Sequence, residues 1–223
     1  MVDDEPDILM LIKDLFEIFK FDVKISDNLK SARQILKSEN IDIVVTDIRM
    51  GEDSGVDFLK EIKAHDAFSP KVFLISGFQD FPLHEIYNIG ADGIFLKPFE
   101  ASTLRKSVQS ATQTEKEKWS FQNVKYTASK KIKNIYSNFS EMKNDIHFGR
   151  GGFCVKWQKG NLSVDDLIDF DFGIVKGLGK VIWSLEKNSI YGVEIIQINS
   201  DCIDPFIDWL DEKNYRAYIP NEV

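Results

Sequence analysis

Cysteine is nearly absent: Cys154 and Cys202 are the only two in the chain. They stand far apart, which excludes a disulfide-built scaffold and fits reduced thiols used as small apolar filler. Long apolar runs are missing too. No stretch approaches the ~18 residues that a membrane helix requires, so no membrane span is expected and the chain reads as soluble and cytoplasmic. Histidine is limited to three residues, and no Cys or His set has zinc spacing. The sequence has no helix-turn-helix patterning and no basic recognition helix. It also lacks a glycine-rich nucleotide loop with lysine, and a nucleophile with a plausible base and partner. These absences argue against DNA binding and against catalysis on a separate substrate. The formal charge of -8 points the same way, since holding nucleic acid needs clustered Lys and Arg.

The acidity is uneven. Up to Lys118 there are 22 acidic against 15 basic residues, which leaves 14 against 13 for the remainder. With 223 residues the chain exceeds the usual ~100 to 150 residue domain, so two modules are expected. The first half alternates short apolar runs with amphipathic stretches. Runs such as Ile43-Val44-Val45 and Val72-Phe73-Leu74-Ile75 are apolar on both faces, as parallel strands covered by helices on each side must be. The expected fold is a doubly wound α/β sheet. From Gln113 the composition shifts to Gln, Thr, Ser, Glu and Lys around Trp119 and Phe121, so the last helix is expected to run on into a linker. Beyond it, β-type runs are punctuated by glycines at 149, 151, 152, 160, 173, 177, 179 and 192, spacings that suit a small antiparallel barrel or sandwich. A helix from about Asp201 to Glu212, with Phe206, Trp209 and Leu210 on one face, closes it.

In a doubly wound sheet functional groups gather at the carboxyl ends of strands. Four such ends carry polar residues: Asp3 and Asp4, Asp47, Ser76, and Lys97. Any one acid alone is as well explained as a helix cap. Together they suit phosphoryl transfer onto a carboxylate, with a hard divalent cation bound by oxygen ligands. Asp47 is then the nucleophile and Asp3 and Asp4 the partners in a metal site. Lys97 and the Ser76 hydroxyl pair with phosphoryl oxygens.

The motifs Val2-Asp3-Asp4-Glu5-Pro6, Thr46-Asp47-Ile48-Arg49-Met50, Gly55, Ser76-Gly77 and Gly90 to Phe99 make the first half resemble a response-regulator receiver domain of the CheY-like, flavodoxin-like type. The resemblance implies phosphorylation at Asp47 by a sensor histidine kinase or phosphotransfer protein. It implies Mg2+ held by Asp3, Asp4, Asp47 and the Arg49 carbonyl, and a switch through Ser76 and Phe95. From its own pattern Phe95 is equally a core residue. Catalysis is limited to the domain's own phosphoryl transfer and dephosphorylation.

Two departures stand out. Gly51 replaces the usual proline, which is expected to loosen the loop beside Asp47. Only Met1 and Val2 precede Asp3, where the family carries four or five apolar residues of the central strand. A misassigned start codon or a trimmed chain explains that best, and a stub this short is expected to hold the acidic pair poorly.

In the second half, Gly151-Gly152-Phe153-Cys154-Val155, Gly179 to Trp183 and Tyr191 to Ile195 resemble the framework of a PilZ domain, a small β-barrel with a C-terminal helix whose better-known members bind cyclic di-GMP. The ligand motifs depart from it. Ser129-Lys130-Lys131-Ile132-Lys133 has no arginine clamp, and His147-Phe148-Gly149-Arg150-Gly151-Gly152 lacks the acid or amide and the serine of the binding turn. Lys130, Lys131, His147 and Arg150 are the candidate ligand contacts, and the plain alternative is a solvated basic face. The expected organisation is a receiver over 1–112, a helical extension or linker over 113–129 and a PilZ-like barrel over 130–223. The expected function is a response regulator whose degenerate output module works through contacts with a downstream protein, with a homodimer compatible. A phosphorylation-gated cyclic di-GMP receptor and a non-phosphorylated scaffold are the alternatives.

Overall fold

The computed structural model describes residues 1–77, 81–120, 127–142, 145–213 and 215–221. Residues 121–126 of the expected linker, Phe121 among them, lie outside the described residues. The chain divides into two compact units, Met1–Phe81 with Ile89–Thr112, and Pro82–Asn88 with Gln113–Val223.

The first unit contains α1 (Pro6–Ile18), α2 (Leu29–Ser38), β1 (Ile43–Asp47), β2 (Arg49–Met50), β3 (Asp53–Ser54), α3 (Gly55–His65), β4 (Lys71–Ser76), β5 (Gly93–Leu96) and α5 (Ala101–Ala111), and α4 (Leu83–Ile89) falls between β4 and β5. The sheet order is β1-β4-β5, all parallel. Apolar residues of one parity, Val45, Phe73 and Ile75, pack with Ile12 and Phe16 of α1 and Leu104 and Val108 of α5. Those of the other parity, Val44, Val72 and Leu74, are equally buried. The sheet is therefore covered on both faces, the doubly wound flavodoxin-like arrangement that the two-sided apolar runs require.

The start of the chain forms no strand element. Val2 alone bridges in parallel to both Ser26 and Thr46. The segment around Val23 to Ile25 accordingly forms no strand, because a strand exists only through its ladder and one residue supplies almost none.

The loop after Asp47 is not loosened by Gly51. Strands β2 and β3 pair antiparallel in the register Arg49↔Ser54 and Met50↔Asp53. Gly51 turns the two-residue connection with φ at +59°, a conformation that glycine adopts without steric cost. With Gly51 in the turn this segment is a hairpin, and not a loose loop.

The second unit adds α6 (Glu115–Trp119), β6 (Lys130–Lys133), α7 (Phe139–Met142), β7 (Ile146–Phe148), β8 (Gly152–Lys156), β9 (Leu167–Asp171), β10 (Lys176–Leu185), β11 (Ile190–Ile198) and α8 (Ile203–Asp211). The helix before the boundary does not run on: Thr112 ends α5, and Thr114 opens α6 with a reciprocal capping box to Glu117. Trp119 is fully buried in the second unit's core, its ring 5.9 Å from that of Phe206.

The sheet order is β6-β9-β10-β11-β8-β7. The long β10–β11 ladder is antiparallel, with register shifts at Leu178/Gly179 and Val181/Trp183. Such bulges bend and over-twist a sheet, and this one curls into a half-barrel. The expected all-antiparallel barrel is corrected on two points: the sheet is open, with β6 and β7 as its edges, and β6 runs parallel to β9. Helix α8 closes the core through Ile203, Phe206 and Leu210, while Trp209 stacks on Phe139 at 4.7 Å.

Candidate functional site

The strand ends of the first unit bring three carboxylates to one lysine. Asp47 is the last residue of β1, and the ladder continues past it, since Ile48 N–H donates to the Ile75 carbonyl at 2.8 Å. The Arg49 N–H donates back to Asp47 Oδ2 at 2.7 Å, which orients the carboxylate. Gly55 approaches so closely that a Cβ there would lie 2.1 Å from the Asp47 carbonyl oxygen. Its N–H donates to the Ile48 carbonyl at 2.9 Å, so the hairpin and the start of α3 close around the strand end.

Lys97 follows β5, and its N–H donates to the Ser76 carbonyl at 2.7 Å. Its ammonium lies 2.7 Å from Asp47 Oδ1, 3.4 Å from Asp3 Oδ2 and 3.4 Å from Glu5 Oε1. Asp3 is fully buried and accepts the Glu5 N–H at 2.9 Å on its other oxygen. Burial pushes its carboxyl above the ordinary range, as does the Asp47 charge, against the lowering by the Glu5 N–H and Lys97. Burial works to lower the Lys97 ammonium, but the Asp47 hydrogen bond and the Asp3 and Asp47 charges outweigh it, and the net shift is upward. The two partners thus respond differently. The pairing governs Lys97, whereas desolvation governs Asp3, whose carboxylate has no access to water.

Of the residues singled out from sequence, Asp3, Asp47 and Lys97 meet directly. Asp4 is exposed, and among the described residues no ion pair joins it to Lys97. Ser76 is buried at the end of β4 opposite Leu96. Phe95 is half-buried, its ring 6.0 Å from Phe73 and 5.9 Å from Phe99. Among the described residues no set of three His, Cys, Asp or Glu side chains is drawn together as a ready metal cage. The acids are gathered on Lys97 instead. Glu5 joins them on Lys97, a contact that no sequence pattern carries because it depends on how α1 leaves the strand stub.

The candidate contacts in the second unit do not form one constellation along the sheet. Lys130 and Lys131 are exposed on edge strand β6, and His147 lies on the opposite edge strand, β7. Arg150 is buried, its guanidinium 5.7 Å from the Tyr218 ring centre and its Nε donating to the Arg216 carbonyl at 3.3 Å.

The family model for the response regulator receiver domain matches residues 1–109. The chain is 31% identical over 112 residues to the response regulator protein PilR of Pseudomonas aeruginosa, covering 50% of this chain and 25% of that protein. It is 35% identical over 104 residues to the response regulator SaeR of Staphylococcus aureus, covering 47% and 45%. Against the regulatory protein AtoC of Escherichia coli it is 28% identical over 115 residues, covering 52% and 25%. The chain thus spans a quarter to under half the length of these curated relatives. Among solved structures, a response regulator receiver domain protein of Clostridium thermocellum is 31% identical with a TM-score of 0.45, covering 49% of this chain and 89% of that one. The response regulator TrrA of Thermotoga maritima, solved in complex with Mg(2+)-BeF, is 26% identical with a TM-score of 0.45, covering 49% and 94%. The N-terminal half of the chain is a response regulator receiver domain.

Proposed function

We propose that Asp47 accepts a phosphoryl group from a partner histidine kinase or phosphotransfer protein, and that the receiver so switched controls the second unit. The observation that carries this reading is the 2.7 Å contact between Lys97 Nζ and Asp47 Oδ1 with buried Asp3 beside it. An Asp47 oxygen attacks phosphorus, the phosphorus–nitrogen bond to the donor histidine breaks, and an acyl phosphate forms. Water later attacks phosphorus, the bond to the Asp47 oxygen breaks, and inorganic phosphate leaves as the carboxylate is regenerated; the domain's catalysis is limited to these two transfers. Lys97 exchanges its carboxylate contact for a phosphoryl oxygen, and the Ser76 hydroxyl takes another. Phe95 then packs inward behind Ser76 and carries the change to the surface.

The donors fit magnesium in kind, because the Asp3 and Asp47 carboxylates share one ammonium and keep an excess of negative charge on hard oxygen ligands. Asp3, Asp4, Asp47 and the Arg49 carbonyl would hold the ion. When bound, it offsets the charge of the transferring group.

We assign the receiver to 1–112, the connection to 113–129 and the output module to 130–223, and read the whole as a cytoplasmic regulator acting on a downstream protein. The output module is a degenerate relative of PilZ domains that works by protein contact. The engagement of Arg150 with Tyr218 and the Arg216 carbonyl supports this over a nucleotide receptor. Incubation with acetyl phosphate and magnesium, followed by intact-mass measurement, tests the switch. One added phosphate is expected on the wild type and none on D47N or in excess EDTA. No addition to the wild type, or equal addition to D47N, sinks it.

A further inference from the structure

Helix α6 has five residues, and a helix that short does not hold its shape alone. Inside it, Lys118 N–H donates to the Thr114 carbonyl and Ser120 N–H to the Lys116 carbonyl, both at 2.9 Å. The helix stands because it is docked on the rest of the second unit, to which it belongs. Trp119 is the apolar anchor. It is fully buried, and the Phe206 ring it meets lies 5.3 Å from Phe148 and 6.2 Å from Phe139. Two lysines flank the anchor. Lys118 Nζ donates to the Tyr218 hydroxyl at 2.6 Å, and that hydroxyl donates to Glu194 Oε1 of β11 at 2.9 Å. The Tyr218 ring packs so closely on Gly151 that a Cβ there would collide with it, which fixes the hydroxyl. Lys116 Nζ lies 2.7 Å from Asp204 Oδ1 in α8.

An aromatic pocket with carboxylates on its rim, receiving a short helix through one large side chain, has the geometry of helix-in-groove recognition. Here the occupant is in cis, and its hold is incomplete in two places. Among the described residues the buried Trp119 indole N–H meets no acceptor, so docking strips its water and returns no hydrogen bond. The Lys116–Asp204 pair is more than half exposed on both sides, where an ion pair contributes little. Docking of α6 therefore depends on the apolar burial of Trp119 and on the Lys118–Tyr218–Glu194 chain.

We propose that the groove under α6 is the partner site of the second unit, occupied in cis by a helix that opens from it without unfolding the sheet. The partner it fits is a short helix of the same chemistry, an aromatic anchor with lysines one and three positions before it. This rests on the reading of the second unit as a protein-contact module. It needs no phosphoryl group, so it and the Asp47 reading stand or fall separately.

Native-state amide hydrogen exchange on the 223-residue chain tests the opening. The Lys118 and Ser120 amides should be at least about 100-fold less protected than those of Val181 and Ile195, which donate to the Asp166 and Gly151 carbonyls. Equal protection makes α6 ordinary core and overturns the proposal. Calorimetric titration with acetyl-TEKEKWS-amide, the sequence of residues 114–120, tests the groove. Trp119→Ala empties it, and Lys118→Glu keeps the anchor but sets a carboxylate against Glu194, so a failure of the first variant to fold leaves the second. One-to-one binding is expected to either variant, at least about tenfold tighter than to the wild type, whose tethered helix competes at high effective concentration. The peptide with alanine in place of tryptophan should not bind. No binding to a folded variant, equal affinity for the wild type, or binding that survives loss of the tryptophan each overturns the proposal, and none of these outcomes bears on phosphate uptake.

Discussion

Lys97 Nζ lies 2.7 Å from Asp47 Oδ1 and 3.4 Å from Asp3 Oδ2, so one partly exposed ammonium restrains two buried acids. The Asp3 side chain is fully buried, while that of Lys97 keeps a quarter of its surface exposed. Everything expected of the site follows from that asymmetry.

Lys97→Met leaves Asp3 and Asp47 facing each other without a counter-charge. Orphaning a fully buried charge costs ~3 to 5 kcal/mol, and the partial exposure of Lys97 reduces the expectation to about 1 to 3 kcal/mol. Urea unfolding at pH 7 measures this loss, and phosphate uptake from acetyl phosphate should fall in the same variant.

Asp3→Asn should stabilise the receiver at neutral pH while abolishing phosphate uptake. Burial raises the Asp3 carboxyl above its ordinary value of 3.8. A group raised in the folded state contributes stability below its unfolded value, and that contribution is lost as pH rises through the folded value. The wild type therefore carries a penalty at neutral pH that asparagine lacks, and the advantage of D3N should vanish as pH falls to the ordinary carboxylate range. Thermal melts at pH 7 and pH 3.5 separate the two variants; an equal gain at both would remove Asp3 ionisation as the cause.

Gly55→Ala places a Cβ 2.1 Å from the Asp47 carbonyl oxygen and 3.1 Å from the Ile48 Cα. Both neighbours are backbone and cannot rotate away. Overpacking of this kind costs about 1 to 3 kcal/mol, and the strain lands on the strand end that carries Asp47. Lower stability together with slower phosphorylation is expected, measured by denaturant unfolding and by mass after timed acetyl phosphate exposure.

In the second unit, burial pushes the Cys154 thiol from 9.0 up to about 12. Above pH 9 the unfolded chain loses this proton and the folded one keeps it, so unfolding becomes easier as pH rises towards about 12. The contribution is about 1.4 kcal/mol per pH unit across that window. Cys154→Ala should flatten the alkaline loss relative to wild type, and native Cys154 should resist iodoacetamide at pH 8. All four tryptophans, Trp119, Trp157, Trp183 and Trp209, belong to this unit, so their fluorescence reports its unfolding directly.

Much of the receiver was legible because its signals are local. The two-sided apolar runs around Val44 and Leu74 can only be covered strands, and Thr46-Asp47, Ser76 and Lys97 each sit where a strand ends. The helix boundaries of α2 and α3 follow from caps visible in sequence, Asn28 accepting from Ser31 N–H and Ser54 from Asp57 N–H. Less was legible after Gln113. Glycine spacing pointed to curled strands, yet the direction of β6 against β9 and the inward turn of Arg150 onto Tyr218 join residues far apart in the chain, and no local pattern encodes them.

The sequence by itself determined which residue types stand at the strand ends, since periodicity and turn chemistry act over a few neighbours. Only the tertiary structure decided that Asp3 is sealed while adjacent Asp4 is exposed, that Glu5 reaches Lys97, and that Gly51 tightens a hairpin. It also decided that Val2, one residue, holds both flanking segments. Burial and ladder pairing are properties of what surrounds a residue, and those surroundings exist only once distant segments have packed together.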